Sequence, residues 1–374
     1  MNTLTIGFFL MALTSPLADR LEFIKVADGG RGFVLADGGR PFIAWGHNYG
    51  NGGRLIEDYW ETDWQTVVDD FGKMKAMGTN VARVHLQFGK FMMAADRPDP
   101  KALDRLGKLL ALAESTGVYL DLTGLACYRK ADVPPWYDLL DEAGRWKAQA
   151  RFWSAIAGRC ASSPAVFCYD LMNEPIAPGQ ARKPGDWYSG NLFGGLDFLQ
   201  LITLDPAGRA REDIPPIWIA AMTKAIRKED KRHLITVGVL PWVKGWGFLS
   251  GFIPEKIAPV VDFVSVHIYP DNGKPTEAIE NLRRFAVGKP VVIEETFPLS
   301  CTAADLEVFL RDSRGIASGW IGHYDGKSIA ELDALERAKT ITLAQAIYKS
   351  WLEMSVKMRS EMTAPVAPKD AARP

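Results

Sequence analysis

Short runs of β-branched and aromatic residues alternate along the chain with longer amphipathic stretches. Apolar residues recur with helical spacing over 64–78 and 101–117, and a last helix is predicted over 335–355. Strands that alternate with helices favour a parallel sheet with both faces covered. The runs that predict strands are eight in number and cover residues 42–48, 80–86, 117–123, 165–173, 233–240, 261–269, 290–295 and 318–324.

Eight strand–helix units predict an α/β fold, a (β/α)8 TIM barrel, in a single domain over residues 22–360. No G-x-G-x-x-G motif follows the first strand, which disfavours an open nucleotide-binding sheet. The connection after the fourth strand, residues 176–214, is long and rich in glycine, proline and aromatic residues. Loops of this length inside a compact domain are usually functional or disordered. We therefore expect this loop to wall the cleft at the strand end that precedes it.

The two termini differ in composition from the predicted domain. Leu4 to Ala18 form an apolar stretch with the length of a signal peptide, too short to span a membrane. Its first basic residue is Arg20, so a positive n-region is missing and a buried N-terminal segment is the alternative. Residues 1–18 are interpreted as a signal peptide, which predicts a secreted or periplasmic protein. The Pro/Ala-rich residues 361–374 predict a disordered tail.

Composition narrows the classes of partner. A formal net charge of −1 gives no electrostatic reason to bind nucleic acid or an anionic membrane surface. The 4 cysteines form no CxxC motif, so no disulfide framework is implied. The 12 tryptophans suit a protein that stacks hydroxyl-rich ligands on indole faces. We expect a monomer without a cofactor or a membrane-spanning segment.

Polar residues gather where the predicted strands end. Reactive groups of a barrel lie at the C-terminal ends of its strands, and polar side chains in apolar strands are costly unless they are paired. Strand parity places Arg83 with His85, and His267 with Tyr269, on a shared face. The polar and aromatic residues at these ends are His47, Asn48, Arg83, His85, Thr123, Asn173, Glu174, Trp242, His267, Tyr269, Glu294, Glu295, Trp320 and His323.

Carboxylates from the fourth and seventh strands would face each other across the barrel mouth. Cleavage of a glycosidic bond needs one carboxyl group that protonates the leaving oxygen and one carboxylate that attacks or stabilises the sugar carbon. A neighbouring arginine and a drier environment can separate the pKa values of two such groups. The pattern therefore predicts a glycoside hydrolase.

The strand-end motifs resemble glycoside hydrolase family 5, the cellulase and mannanase group of clan A barrels. They are "NVARVHL" on the second strand, "LMNEP" on the fourth, "HIY" on the sixth and "KPVVIEETF" on the seventh. The resemblance covers roughly residues 40 to 330. It implies that Glu174 is the acid/base, that Asn173 contacts the sugar 2-hydroxyl, and that Glu295 is the nucleophile, held by Arg83.

The resemblance also assigns the sixth and eighth strands. His267 and Tyr269 match the family's sixth-strand pair, with Tyr269 hydrogen-bonded to Glu295, and Trp320 matches its aromatic platform. The chain departs from the family at Thr123, where a histidine is usual, and at "GWIGHY", which lacks a second tryptophan. The predicted substrate-binding residues are Arg83, Asn173, His267, Tyr269, Trp320, His85, Asn48 and Trp242.

Several residues keep a second interpretation. Glu174 could cap the following segment, Arg83 could serve a structural ion pair, and the histidines could suggest a metal site. A barrel metallohydrolase typically shows HxH on its first strand, whereas this chain has "GHNYG", so no metal is predicted. Of Glu294 and Glu295, one should face the barrel and the other its wall, and Glu295 is favoured as the nucleophile.

The resulting hypothesis is a retaining β-glycoside hydrolase that acts on a β-linked polysaccharide or oligosaccharide. Mannan and glucan both fit the motifs, and the sequence leaves endo or exo action open. The alternative is a catalytically weak barrel that binds carbohydrate. An enzyme for phosphorylated metabolites is disfavoured, because no Gly-rich phosphate loop follows strand seven or eight.

Overall fold

The computed structural model describes residues 20–193, 195–241 and 250–365. Within them, parallel strands form one sheet in chain order. The fifth strand is interrupted at Val237: its first part pairs with the fourth strand and its second part with the sixth. The sheet closes at this interruption, so the predicted (β/α)8 barrel is confirmed. The barrel strands are Ala44–Gly50, Val81–Gln87, Tyr119–Ala126, Val166–Asp170, Leu234–Thr236 with Gly238–Val239, Val264–His267, Val291–Glu295 and Gly319–Asp325.

Helices follow the barrel strands and cover the outside of the sheet. Local signals fix their ends: the Asp63 side chain accepts from Thr66 N at the start of the first helix, and Gly117, with φ of 65°, ends the third. The helices are Trp64–Ala76, Phe88–Phe91, Pro100–Thr116, Pro135–Asp138, Glu142–Cys160, Ile214–Glu229, Pro254–Ile257, Pro275–Arg283, Ala303–Ser313, Ile329–Arg337 and Leu343–Met362. Single 3₁₀ turns occur at Ile56–Asp58, Lys130–Asp132, Arg211–Asp213 and Ala258–Val260, and a small hairpin at Met92–Ala94 and Arg97–Pro98.

The prediction of one last helix over 335–355 is wrong. The chain forms two helices there, Ile329–Arg337 and Leu343–Met362. Lys339 adopts a positive φ of 56°, which breaks the first helix, and Thr342 begins the second with a capping box. The apolar spacing continues across the break, which is why periodicity alone did not reveal it.

A short antiparallel sheet closes the N-terminal end of the barrel. It consists of Ile24–Val26, Phe33–Leu35 and Pro41–Phe42. The ring of Phe33 packs edge-on against Phe167, at the start of the fourth barrel strand, and against Phe263, which immediately precedes the sixth. This end of the interior is thus an apolar plug, and it leaves the opposite end for polar groups.

The connection after the fourth strand contains a sheet of its own rather than irregular chain. Pro175–Ile176 pairs with Leu196–Leu201, which also pairs with Tyr188–Phe193. The prediction of a loop over residues 176–214 is therefore wrong about the local structure of this connection. It does lie beside the strand ends, because Asp197 N donates to the Tyr128 carbonyl just past the third strand.

The structure describes neither of the two terminal segments in full. The predicted signal peptide, residues 1–18, lies outside the described residues, as does the tail from residue 366 onward. None of the helices in the described part of the chain combines the length and apolar character needed to cross a membrane. Cys168, on the fourth strand, is a buried free thiol.

Candidate active site

Arg83 connects several strands at the C-terminal end of the barrel. The side chain is fully buried on the second strand. Its Nη1 donates to Glu295 Oε1 at 2.6 Å and to Asn48 Oδ1 at 2.8 Å. Its Nη2 donates to Asp170 Oδ2 at 2.7 Å and to Asn173 Oδ1 at 3.0 Å. A guanidinium offers five donors in a planar fork, so this one side chain orients groups from the first, fourth and seventh strands.

Glu295 ends the seventh strand at the barrel mouth. Its Oε2 accepts from the Tyr269 hydroxyl at 2.7 Å, while Oε1 accepts from Arg83. Burial opposes ionisation of this carboxyl, but the charges of His267 and Arg83 hold the pKa of Glu295 far below its ordinary value. The group is therefore an anion at neutral pH, the state that a nucleophile requires.

Glu174 leaves the fourth strand in an unusual backbone conformation. Its φ is 44°, in the left-handed region that residues other than glycine rarely adopt. The Glu174 N–H donates to the Gly238 carbonyl on the fifth strand at 2.9 Å, which holds this turn. Pro175 follows and begins the next sheet. The turn carries the carboxyl group to the mouth, where Oε1 accepts from His267 Nδ1 at 2.9 Å.

His267 lies between the two carboxylates. Its Nδ1 is 2.9 Å from Glu174 Oε1 and 3.5 Å from Glu295 Oε2. Burial alone would lower the pKa of His267, but the charge of Glu295 and the hydrogen bond to Glu174 outweigh burial and raise it to about 10. The imidazole is therefore a cation at neutral pH, in contact with both carboxyl groups.

The two carboxylates are close together. One oxygen of Glu174, one oxygen of Glu295 and a nitrogen of His267 all lie within 4.8 Å of one another. Retaining glycosidases hold their carboxyl groups about 5–5.5 Å apart, whereas inverting enzymes separate them by roughly 6.5–9.5 Å to admit water. The nearest oxygens of Glu174 and Glu295 are therefore closer together than the range given for inverting enzymes.

Glu294 does not face the wall of the barrel, so the expectation that the two adjacent glutamates point to opposite sides is wrong. Its carboxylate is fully buried in the interior, with Oε2 at 4.0 Å from Arg83 Nε and 3.9 Å from His267 Nε2. The pairing of the sixth and seventh strands shifts between Val266 and His267, which brings Glu295 opposite His267. Both carboxylates therefore enter the interior, and Glu295 is the one that reaches the mouth.

Asn48 and His85 surround the Arg83 guanidinium, as the sequence predicts for neighbours of one cavity. Asn48 accepts from Arg83 and donates through Nδ2 to the Glu294 carbonyl at 3.0 Å. His85 Nε2 lies 3.2 Å from Asn48 Oδ1, and its Nδ1 forms a hydrogen bond with the Tyr128 hydroxyl. Burial and the charge of Arg83 hold the pKa of His85 well below its ordinary value, so this ring is neutral.

The sheet after the fourth strand contacts the site through Asn173. Its Oδ1 accepts from Arg83, and its Nδ2 donates to the Phe198 carbonyl at 3.2 Å. The ring of Phe198 packs at 4.9 Å from the ring of Tyr128. These contacts support the expectation that the long connection walls the same cleft as Glu174.

Trp320 does not line the cleft. The indole is 2% exposed and packs against Trp45, and its N–H donates to Ser313 Oγ, in the covering helix Ala303–Ser313, at 2.7 Å. The proposed sugar platform therefore does not fit this position. His323 lies on the opposite face of the same strand, with Nε2 at 3.0 Å from the Tyr269 hydroxyl. Trp242, another predicted substrate contact, lies outside the described residues.

Two residues near Arg83 were not singled out from the sequence. Asp170 accepts from Arg83, from Thr123 Oγ1 at 2.8 Å and from the Gly238 N–H at 2.8 Å. A Cβ at Gly238 would lie 2.6 Å from Glu294 Oε2, so only glycine fits there without a shift. Parity on the fourth strand could have indicated Asp170, but no local signal distinguishes Gly238. Thr123, where the family has histidine, thus serves to hold Asp170.

Two clusters of donor atoms in the described residues are close enough to admit a metal ion. They are Glu174 with His267 and Glu295, and Asp121 with Cys168 and Glu294. Arg83 and the His267 cation already place positive charge against both clusters. An additional cation would be repelled by them, so the donor sets do not favour a metal.

Comparison with other proteins places these features in a family context. The chain is 25% identical over 225 residues to mannan endo-1,4-β-mannosidase A of Podospora anserina, which covers 52% of this chain and 51% of that protein. It is 27% identical over 179 residues to mannan endo-1,4-β-mannosidase 5 of Arabidopsis thaliana, covering 40% of this chain and 35% of that one. The chain thus spans between a third and a half of these relatives.

Solved structures of similar fold include an exo-β-1,4-mannosidase from Opitutaceae bacterium strain TAV5, with a TM-score of 0.66 and 17% identity over 93% of this chain and 63% of that one. The β-1,4-mannanase of the sea hare Aplysia kurodai superposes with a TM-score of 0.60 and 16% identity, over 92% of this chain and 99% of that chain. At such identities the likeness concerns the fold. The family model for cellulase, glycosyl hydrolase family 5, matches residues 40–296, and the chain therefore belongs to glycoside hydrolase family 5.

Proposed function

We propose that this chain is a retaining β-glycoside hydrolase that cleaves β-1,4-linked mannan by double displacement. The observation that carries the proposal is the pair of carboxylates, Glu174 and Glu295, with His267 between them and oxygens within 4.8 Å. The substrate class is supported by the relatives, which are named as mannan endo-1,4-β-mannosidases, and not by a contact in the site.

In the first step Glu295 attacks the anomeric carbon while Glu174 donates its proton to the glycosidic oxygen. The C–O bond to the leaving sugar breaks, and a covalent glycosyl-enzyme forms on Glu295. Arg83 and Tyr269 each bind one oxygen of the nucleophile, which supports its orientation toward the sugar. The attack removes charge from Glu295.

In the second step Glu174, now a carboxylate, takes a proton from water, and the water oxygen displaces Glu295 from the anomeric carbon. The His267 cation contacts both carboxylates and can balance the negative charge as it passes from one to the other. Asn173 is the proposed contact to the sugar 2-hydroxyl, and His85 and Asn48 are proposed to complete the subsite around Arg83.

The proposal is tested by hydrolysis of mannan, cellulose, mixed-linkage glucan, xylan and aryl glycosides, followed by proton NMR of the first product formed. We expect mannan to be cleaved fastest and the β-anomer to appear first. Glu174→Ala and Glu295→Ala serve as matched inactive controls, and the size of early products separates endo from exo action.

Each alternative has its own outcome in this experiment. Faster cleavage of a glucan would overturn the substrate class while leaving the mechanism, and an initial α-anomer would overturn double displacement. Binding of β-glycan without hydrolysis would favour a catalytically weak carbohydrate-binding barrel.

A further inference from the structure

Asp121 and Glu294 lie together below the catalytic pair, in the interior of the barrel. Both side chains are fully buried. None of their four carboxylate oxygens has a hydrogen-bond donor among the described residues. Polar groups buried without a partner cost on the order of 1–3 kcal/mol each, and more when charged, so this arrangement requires an explanation. We refer to these two residues as the buried acid pair.

Two unpartnered donors face the buried acid pair from the mouth. Arg83 Nε lies 4.0 Å and His267 Nε2 3.9 Å from Glu294 Oε2, and neither nitrogen has another acceptor in the described residues. Gly238 makes this approach possible, because a Cβ there would meet both Glu294 Oε2 and His267 Nε2. The titratable groups that face the pair are Arg83, Cys168, Asp170 and His267. Glu174 and Glu295 face His267 from its other side.

Charge decides the protonation of the pair. Two ionised carboxylates side by side in a dry interior repel each other strongly, and one shared proton removes that repulsion. Burial and the charge of Glu294 raise the pKa of Asp121 well above its ordinary value. Burial acts on Glu294 in the same direction, but the charge of Arg83 and the contact with His267 lower its pKa. The proton therefore resides on Asp121.

We propose that Asp121 and Glu294 share one buried proton, with the Asp121 hydroxyl donating to the Glu294 carboxylate. The single negative charge of the pair is a second counter-ion, besides Glu295, that keeps His267 cationic and its Nδ1–H directed at Glu174 and Glu295. Glu294 is thus a positioning residue that acts through His267. The link to turnover rests on the proposed function, whereas the shared proton is measurable in an inactive variant.

The first test follows His267 directly by NMR with imidazole-labelled histidine. The chain has 5 histidines, and burial lowers the pKa of His47, His85 and His323. The His267 signal is assigned by its absence from His267→Asn. In the unmodified protein it should stay in the imidazolium form up to about pH 9, given its pKa of about 10.

The matched variants are Glu294→Gln and Asp121→Asn. Glu294→Gln removes the charge without changing the shape, and the His267 midpoint should fall by ~1–2 pH units. In Asp121→Asn an amide N–H replaces the hydroxyl as donor. The His267 midpoint should therefore stay within about half a pH unit of its value in the unmodified protein. An unchanged midpoint in Glu294→Gln, or an equal fall in both variants, would overturn the proposal.

A second test does not depend on His267. In Glu174→Gln, which removes the acid/base carboxyl, infrared spectroscopy should still show the C=O stretch of a protonated, buried carboxylic acid at pH 8. Adding Asp121→Asn should remove this band. If the band persists in the double variant, or if it is missing from Glu174→Gln, the shared proton is disproved.

Two further readouts separate the remaining explanations. Stoichiometric metal in the purified protein would show that Asp121, Cys168 and Glu294 bind an ion instead of a proton, and would overturn the proposal. The kcat/KM of Glu294→Gln, relative to the unmodified protein, should be reduced by a larger factor at pH 9 than at pH 6. The kcat/KM of Asp121→Asn should be reduced by the same factor at both pH values. Inactivity of the unmodified protein on all glycans would contradict the proposed function and leave the NMR and infrared results standing.

Discussion

The two ends of the barrel interior are filled in opposite ways. At the N-terminal end, Phe33, Phe167 and Phe263 pack with T-shaped and stacked rings at 5.2–5.3 Å, closed off by a short sheet. At the C-terminal end, Arg83 alone donates to four side-chain oxygens, those of Asn48, Asp170, Asn173 and Glu295. Apolar packing has no fixed direction, whereas hydrogen bonds and charges do.

This difference determines which property a substitution at each end should change. Loss of an apolar side chain leaves a cavity whose cost falls on the free energy of unfolding. Loss of a polar side chain at the mouth leaves its partners, such as the Arg83 guanidinium, without compensation, and it displaces groups that must be aligned for chemistry. Variants at the two ends should therefore change different measurements.

The largest effect is expected for Glu295→Ala at the polar end. Turnover should fall on the order of a thousandfold or more, because the proposed nucleophile is removed. The fold should persist, because Arg83 keeps its bond to Asp170 at 2.7 Å. Kinetics with an activated aryl glycoside, together with thermal unfolding, measure both quantities.

Added azide provides the control for Glu295→Ala. It should restore partial activity with inversion of the anomeric carbon, because the anion can occupy the space of the lost carboxylate. Wild-type turnover in the variant would show that another residue, such as Glu294, attacks the sugar.

At the apolar end, Phe33→Ala should lower the free energy of unfolding by ~3–5 kcal/mol, the usual cost of truncating a buried phenylalanine. Phe33 is 2% exposed and lies far from any catalytic contact, so KM and kcat of the folded fraction should not change. Urea unfolding measures the free energy of unfolding, and kinetics at low temperature measure KM and kcat. Leu139→Ala, at a side chain 86% exposed, is the control and should stay within about 0.5 kcal/mol.

Gly238→Ala tests the packing of the interior just below the polar end. The new Cβ would lie 2.6 Å from Glu294 Oε2 and 2.7 Å from His267 Nε2, so these groups must shift. Because small misplacements of aligned groups are costly, kcat/KM should fall by about 10- to 100-fold. Gly72→Ala is the matched control: a Cβ at this exposed helical position meets no atom within 4 Å, and activity should be unchanged. Full activity of Gly238→Ala would mean that the interior below the mouth is not rigid.

The smallest effect is expected for Trp320→Phe. The indole N–H donates to Ser313 Oγ behind the barrel wall, so its loss should reduce the free energy of unfolding by about 1–2 kcal/mol. KM should stay within about twofold, because the ring does not face the cleft. Ser313→Ala removes the same hydrogen bond and should match it in stability. A large rise in KM for Trp320→Phe alone would restore this residue as a sugar platform.

Much of the site was predictable because polar residues at strand ends are conspicuous in an apolar sequence. Arg83, Asn173, His267 and Glu295 all occur there, and the structure brings them together at the mouth. Trp320 was misplaced for a physical reason. The eighth strand is buried on both faces, so its alternation does not tell which face turns inward. His323, which the sequence also placed at this strand end, is the residue that occupies the interior face.

The sequence by itself determined the order of strands, the family motifs and the end of the barrel that carries the chemistry. Only the tertiary structure decided which of two adjacent glutamates reaches the mouth, because that depends on a register shift between neighbouring strands. It also decided that Glu294 joins Asp121 beneath His267, at a spacing that Gly238 permits. Local periodicity reports the faces of a strand, whereas distances across a closed barrel depend on the stagger of all its strands.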